Sequence, residues 1–395
     1  MPEGFTTSNH YVPQWYQERF IPEDRKERRY HYLDLHPERV VHAGGGFHFR
    51  KERRVLGPVN CFEQSHLYTV FFGADATDTI ERNFFGPLDS AGCVALPAFL
   101  DYVWHENEHH TIHDFIDYLG AQKLRTPKGL DFLKHAAKGA SHRRALLYMQ
   151  QLHQVYVTMW MEAIWEVVSC DESPTKFIVT DHPVVTYNKG LFPQSKACQY
   201  PLDAPIELLG THTIFPLSLN RCLVMTNLGY VRNPNVNPVR SRLNARSYEN
   251  TVFDMRSVQT GRQLPERDVI AINYILKSRA KRYIAAAEKE WLYPERHFAK
   301  TMWNKLGDRF FLMPDPRKMH FHADTYMGFK NGASLAVDEY GRRPNTKDRG
   351  ILAFRSKEQD TFRKHQKLWE AKFGELTPAE QRAIWFGGEM PLEDK

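Results

Sequence analysis

Phe177-Ile178-Val179-Thr180-Asp181-His182-Pro183-Val184 decides how this chain is read. Lys176 to Thr180 has the aromatic and β-branched content of a strand. Asp181-His182-Pro183 breaks it, because proline cannot donate to a ladder. A carboxylate just past an apolar strand projects at a sheet edge, where a rigid scaffold presents functional groups. The same aspartate can also serve as a turn residue that takes a backbone amide. Further strands are expected at Val184–Tyr187, Thr213–Leu217 and Cys222–Thr226.

Upstream of this stretch the pattern is helical. Thr111 and Asp114 resemble a capping box, with Ile112, Phe115, Ile116 and Leu119 on one face and Gln122 continuing it. Thr126-Pro127 supplies an N-cap and first position for a second helix through Lys138, which leaves Arg125 at the corner. Ser141 caps a third helix extending to Val168, with His153 on its apolar stripe. Downstream, Glu266 to Trp291 reads as a helix with Asn273 on its inward face. The expected fold class is α+β: a mainly helical single large domain over residues 1–290 with a small β-sheet. Residues 291–395 are expected to form a peripheral C-terminal region packed on it. Helices near Lys357–Phe373 and Pro378–Phe386 belong to that region, and Trp291, Trp303, Trp369 and Trp385 are its anchors.

The opening segment Asn9-His10-Tyr11-Val12-Pro13-Gln14-Trp15-Tyr16 is unusually dense in aromatic and hydrogen-bonding groups for a terminus. Pro13 suits a first helical position, so a short helix over Gln14–Phe20 follows, with His10 and Tyr11 in an extended lead-in. A histidine beside a tyrosine can relay a proton. The aromatics can equally pin the terminus to the core.

Five cysteines, Cys61, Cys93, Cys170, Cys198 and Cys222, are widely spaced, with no C-x-x-C pair. Neither a zinc knuckle nor a disulfide framework is indicated, and a reduced cytoplasmic protein is expected. No apolar run is long enough to cross a membrane. The chain carries 53 basic and 47 acidic residues, net +6. Residues 221–300 hold 15 basic and 7 acidic residues, so all of the excess lies there. Arginines in loops can chelate phosphate, which makes a polyanionic or phosphate-bearing ligand one expectation. A solvated face with acidic partners is the other.

His105-Glu106-Asn107-Glu108-His109 matches the H-E-x-x-H pattern of zinc hydrolases. The capping signal at Thr111 puts the helix after the motif, and that chemistry needs both histidines on one helical face. His320-Phe321-His322-Ala323-Asp324 would bring three polar side chains to one face of a strand. His105, His109, His320 and His322 are therefore the candidate ligands of a divalent metal. Glu81 sits at a probable helix start, and Gln122, His153 and Asn273 are polar groups on apolar faces that need partners if buried.

The blocks together resemble the family called domain of unknown function 4238. The resemblance rests on Asn9-His10-Tyr11-Val12-Pro13-Gln14 with Arg19-Phe20, on His66-Leu67-Tyr68-Thr69, Ile80-Glu81, Gln122 and Arg125-Thr126-Pro127. It continues through the Asp181 stretch, Phe215-Pro216-Leu217-Ser218, and Asn273 with Arg282-Tyr283. It covers residues 9 to 290 in order, with His182 standing where a small polar residue is expected. The family name carries no activity, so what the resemblance implies is a shortlist: His10, Tyr11, Gln14, Glu81, Gln122, Arg125, Asp181 and Asn273, with Arg282 beside them.

Three functions follow from these residues. In the first, an intracellular hydrolase acts on a phosphodiester or nucleotide. His10 is acid or base, Glu81 and Asp181 hold a metal or water, and Arg125 stabilises developing charge. Tyr11, Gln14, Gln122, Asn273 and Arg282 support substrate or site. In the second, a non-catalytic binding module uses the same polar residues as a buried structural network. In the third, a zinc-dependent hydrolase uses His105-Glu106-His109. Convergence of His10, Glu81, Arg125 and Asp181 in an open cleft separates the first from the second.

Overall fold

In a computed structural model the protein is described over residues 8–42, 44–68, 70–72, 75–77, 81–102, 109–139, 141–242, 258–299, 302–306, 310–321, 325–337 and 349–386. Two four-stranded antiparallel sheets organise it. One runs in the order Val185–Asn188, Thr211–Pro216, Arg221–Asn227 and Ala163–Ser169. Val185 faces Ile214, Ile214 faces Val224, and Val224 faces Glu166. Nearly every residue of this sheet is buried, which is why its strands read as continuous apolar runs rather than alternations. The other sheet runs Val179–Thr180, Tyr283–Ala286, Tyr30–Asp34 and Arg53–Leu56. Asp181-His182-Pro183 is the short link between the two sheets.

The chain is α+β, but its two sheets make it less helical than the sequence suggests. The third helix ends at Met161, and Ala163–Ser169 is a strand rather than the continuation to Val168. Ile164-Trp165-Glu166-Val167-Val168 has strand composition, and it pairs along the whole of Arg221–Asn227. The Glu266 helix likewise stops at Arg279, and Tyr283–Ala286 is a strand. Ala280 is already extended at φ −62°, ψ 150°, and the next three amides are claimed by Asp181. The helix containing Thr111 has begun by His109, so Thr111 does not cap it. Thr126 and Ser141 do cap their helices, accepting from Gly129 N and Arg144 N.

The opening segment is an anchor. Ser8–His10 pairs with Glu63–Ser65, and the Gln14–Gln17 helix follows. Tyr16 lies flat on Phe215 with ring centroids 5.2 Å apart, and its hydroxyl donates to Pro216 O at 2.6 Å. Tyr11, Val12, Tyr16 and Phe20 are all buried.

The C-terminal helix Arg349–Phe373 docks on the Leu228–Arg232 helix. Trp369 is buried against Phe310, His365 donates to Val231 O at 2.8 Å, and Arg232 pairs with Glu358 at 3.5 Å. Trp303 is buried against Tyr187, with centroids 4.9 Å apart, and Trp291 packs on the core while partly buried. The Trp385 side chain lies outside the description. No helix among the described residues is long and apolar enough to cross a membrane.

Trp369→Ala should therefore cost about 3–5 kcal/mol in urea denaturation. A cost under about 1 kcal/mol would mean that the C-terminal helix rests on the domain without burying its apolar face.

Candidate functional site

Asp181 is buried, and its carboxylate accepts the consecutive amides of Lys281 at 2.8 Å, Arg282 at 2.6 Å and Tyr283 at 2.8 Å. Burial pushes its pKa up, against the pull of those three amides. Arg282 turns away and forks onto Asp34, with Nε and Nη2 at 3.0 and 2.9 Å from its oxygens. Asn273 is sealed in the core and acts as an extra strand edge: its Oδ1 accepts from Ile178 N and its Nδ2 donates to Lys176 O.

Arg125 pairs with Asp89, 2.7 Å away, and not with Asp181 or Glu81. It sits at the end of the His109–Arg125 helix, where its guanidinium also donates to Gln122 Oε1 and its carbonyl accepts the Tyr68 hydroxyl. Burial acts to lower its pKa, but Asp89 and the nearby tyrosines hold it above its ordinary value. Gln122 donates to Tyr11 O at 3.0 Å. Tyr11 is buried, and its phenol pKa is raised by burial and then by the Asp181 charge. His10 is half-buried at Val59 O, 3.1 Å away, with Gln14 beside it at 3.4 Å.

The structure thus joins Tyr11, Gln122 and Arg125 in one network, and Asp181, Arg282 and Asp34 in another. The π-helical turn Glu81–Phe85 is described, but the Glu81 side chain lies outside the description. His105 and His322 also lie outside the described residues, as does the His109 side chain. His320 is exposed beside Ile384 O. Among the described residues, no group of three or more His, Cys, Asp or Glu side chains is arranged to hold a metal.

The strongest concentration of buried charge is one residue further along the chain, at His182. The helices His109–Arg125 and Pro127–Ala136 meet at a tight corner, where a Cβ at Gly129 would overlap the Leu124 carbonyl. That corner sets Lys123 and Lys128 side by side, and both ammonium groups contact Asp203, one on each carboxylate oxygen. Lys123 also donates to Val184 O at 3.1 Å, and Lys128 to Arg279 O at 2.8 Å. Arg279 Nε approaches Asp203 at 3.8 Å. His182 Nε2 is 3.0 Å from Asp203 and 3.1 Å from Lys123 Nζ, while its Nδ1 meets Thr126 Oγ1 at 2.7 Å.

Burial and then Lys123 push the His182 pKa down to about 3, so the ring is neutral. Burial lowers Lys123, and it lowers Lys128 to about 8 against the pull of Asp203. Burial alone would raise Asp203, but the two lysines hold its carboxyl well below the usual range.

Lys123, Lys128, His182 and Asp203 form the polar wall of a cavity of about 300 Å³, faced by Phe132 and Leu152. His10, Arg125 and Asp181 do not line it. Three cationic side chains meet one carboxylate here. Glu207 lines the same cavity without an ion pair to them among the described residues, and the Asp181 oxygens are taken by amides.

The basic stretch 221–300 is largely neutralised within the fold. Arg221 pairs with Asp101 and Asp171, Arg242 with Glu162, Arg262 with Glu166, and Lys277 with Glu295. Arg246 and Arg256 lie outside the described residues.

Residues 104–290 match the family described as "Protein of unknown function (DUF4238)", a match that supports membership of that family. No curated protein and no solved structure matches the chain. The matched span contains Lys123, Lys128, His182, Asp203 and Arg279, together with Asp181 and Asn273.

Asp181→Asn should be destabilising. An amide offers one acceptor oxygen where the carboxylate offers two, and it turns an N–H₂ toward backbone donors. The expected loss in chemical denaturation is on the order of 3 kcal/mol. Unchanged stability would contradict a structural role for Asp181.

Proposed function

We propose that this protein is a binding protein for a small anion, taken at the cavity walled by Lys123 and Lys128. One observation carries this: two buried lysines and Arg279 converge on a single carboxylate at the edge of a cavity. Buried like charges are costly unless an anion compensates them. Asp203 supplies one negative charge from the chain itself, and a ligand would supply the next. Phe132 and Leu152 opposite suit an apolar body behind the anionic head, and a cavity of about 300 Å³ restricts the ligand to a small molecule. Carboxylates and phosphates share this chemistry.

The phosphodiester-hydrolase reading has less behind it, because His10, Arg125 and Asp181 each bond to the protein's own groups away from this cavity. Five free thiols, four of them buried, suit a reducing cytoplasmic setting.

Calorimetric titration with sodium hexanoate and with inorganic phosphate tests the proposal and separates its two sources. At least one should bind the wild type, and Lys128→Met should weaken it at least tenfold while the protein stays folded. Replacing a buried cation by a methionine of similar length removes charge without opening a void. Affinity should also fall as the pH rises above about 8, because Lys128 loses its proton there and its positive charge with it. Binding of neither anion, or the absence of any binding event that Lys128→Met weakens, would overturn the proposal.

A further inference from the structure

A second cavity, of about 580 Å³, shares no lining residue with the Lys123–Lys128 site. His212 forms part of its wall. The residue is only 5 % exposed, and its Nδ1 has a neighbour that bears on its tautomer. Across the ladder, His212 stands opposite Thr226, whose hydroxyl donates its single proton to Leu312 O at 3.0 Å. Thr226 Oγ1 can therefore only accept from His212 Nδ1, 2.9 Å away. With the Thr226 proton on Leu312 O, satisfying both contacts puts the imidazole proton on Nδ1 and leaves Nε2 as a lone pair. Nε2 has no hydrogen-bond partner among the described residues, and His212 lines the cavity.

The cavity is also cationic. Lys189, Arg267 and Lys305 line it, with Asp268 as the acidic residue among them. Lys189 Nζ lies 6.0 Å from the centre of the Tyr230 ring, and that ring meets His212 edge-on at 5.8 Å. An acceptor and a cation thus flank one aromatic surface. A ligand that satisfies both must be an anion that also carries a donor. Sulfate and carboxylate anions have charge but no proton to give. A hydrogen phosphate, free or as a phosphomonoester, has both.

We infer that this cavity is a site for a phosphate group in its hydrogen-bearing form, with the P–O–H donating to His212 Nε2 and the remaining oxygens facing Lys189. The volume exceeds that of a bare phosphate and leaves room for the organic part of a monoester. His212 serves as an acceptor and not as an acid–base catalyst. Burial and then Lys189 lower its pKa to about 3, which leaves the ring a weak base.

Long-range proton–nitrogen correlation spectra of imidazole-labelled full-length protein provide the test, with inorganic phosphate and sulfate as the two probes at pH 6.5. Without ligand, His212 should show a protonated Nδ1 and an unprotonated Nε2. Phosphate should shift the Nε2 signal and bind at least tenfold tighter than sulfate at that signal. Lys189→Met, at a half-buried position outside the ladder, should weaken phosphate at least tenfold. His212→Phe should abolish the preference over sulfate where the variant folds. Lys128→Met should leave the His212 response intact, which separates this site from the other cavity. A protonated Nε2, an Nε2 signal that phosphate does not move, or equal response to sulfate would overturn the inference.

Discussion

The carboxylate of Asp181 takes three consecutive backbone amides, and the rest of the structure depends on that clamp. It ends the Glu266–Arg279 helix, turns the chain into the Tyr283–Ala286 strand, and pairs that strand with Val179–Thr180. Three donors also satisfy a buried carboxylate that would otherwise be expensive to keep from water. Because Asp181 is fixed, the next residue has little freedom. His182 is held at its own amide by Thr180 Oγ1, 3.2 Å away, and its ring is delivered into the junction between the two sheets.

That junction is where buried charge collects. Lysines at the end of one helix and the start of the next are brought together by the Gly129 corner, and Asp203 opposes the burial that lowers the pKa of both. Lys128 lies in the first turn of its helix, where the backbone dipole already disfavours a cation, so its lowered pKa has two sources of the same sign. One residue at the end of a strand thus fixes the fold, and its neighbour belongs to the site.

Much of this was legible in the sequence, for reasons that can be named. The Asp181 stretch, the Thr126-Pro127 and Ser141 caps, and the inward Asn273 are local signals written in residue type and spacing. Ala163–Ser169 and Tyr283–Ala286 were hidden because tertiary pairing outweighs helical periodicity in short apolar runs. Lys123 carried a readable signal: it stands on the apolar stripe with Ile116 and Leu119, where a lysine needs a partner. Asp203 carried none, since it comes from a long connection between adjacent strands. The partner of Arg125 was equally out of reach, because Asp89 belongs to a separate helix, Gly86–Ala95, whose tertiary placement is not written in local spacing.

The Asp181 clamp and the Asp203 cluster together predict a histidine that stays neutral far below its ordinary range, and His182 can be observed directly. A nuclear magnetic resonance titration of its ring carbons and nitrogens from pH 8 downward measures this in the intact protein. The account predicts no protonation of His182 until about pH 3. Neutral burial costs stability as the unfolded histidine gains its proton below about pH 6.5, so unfolding should become easier across that window. A His182 that titrates reversibly near pH 6.5 in folded protein would contradict the cluster as described.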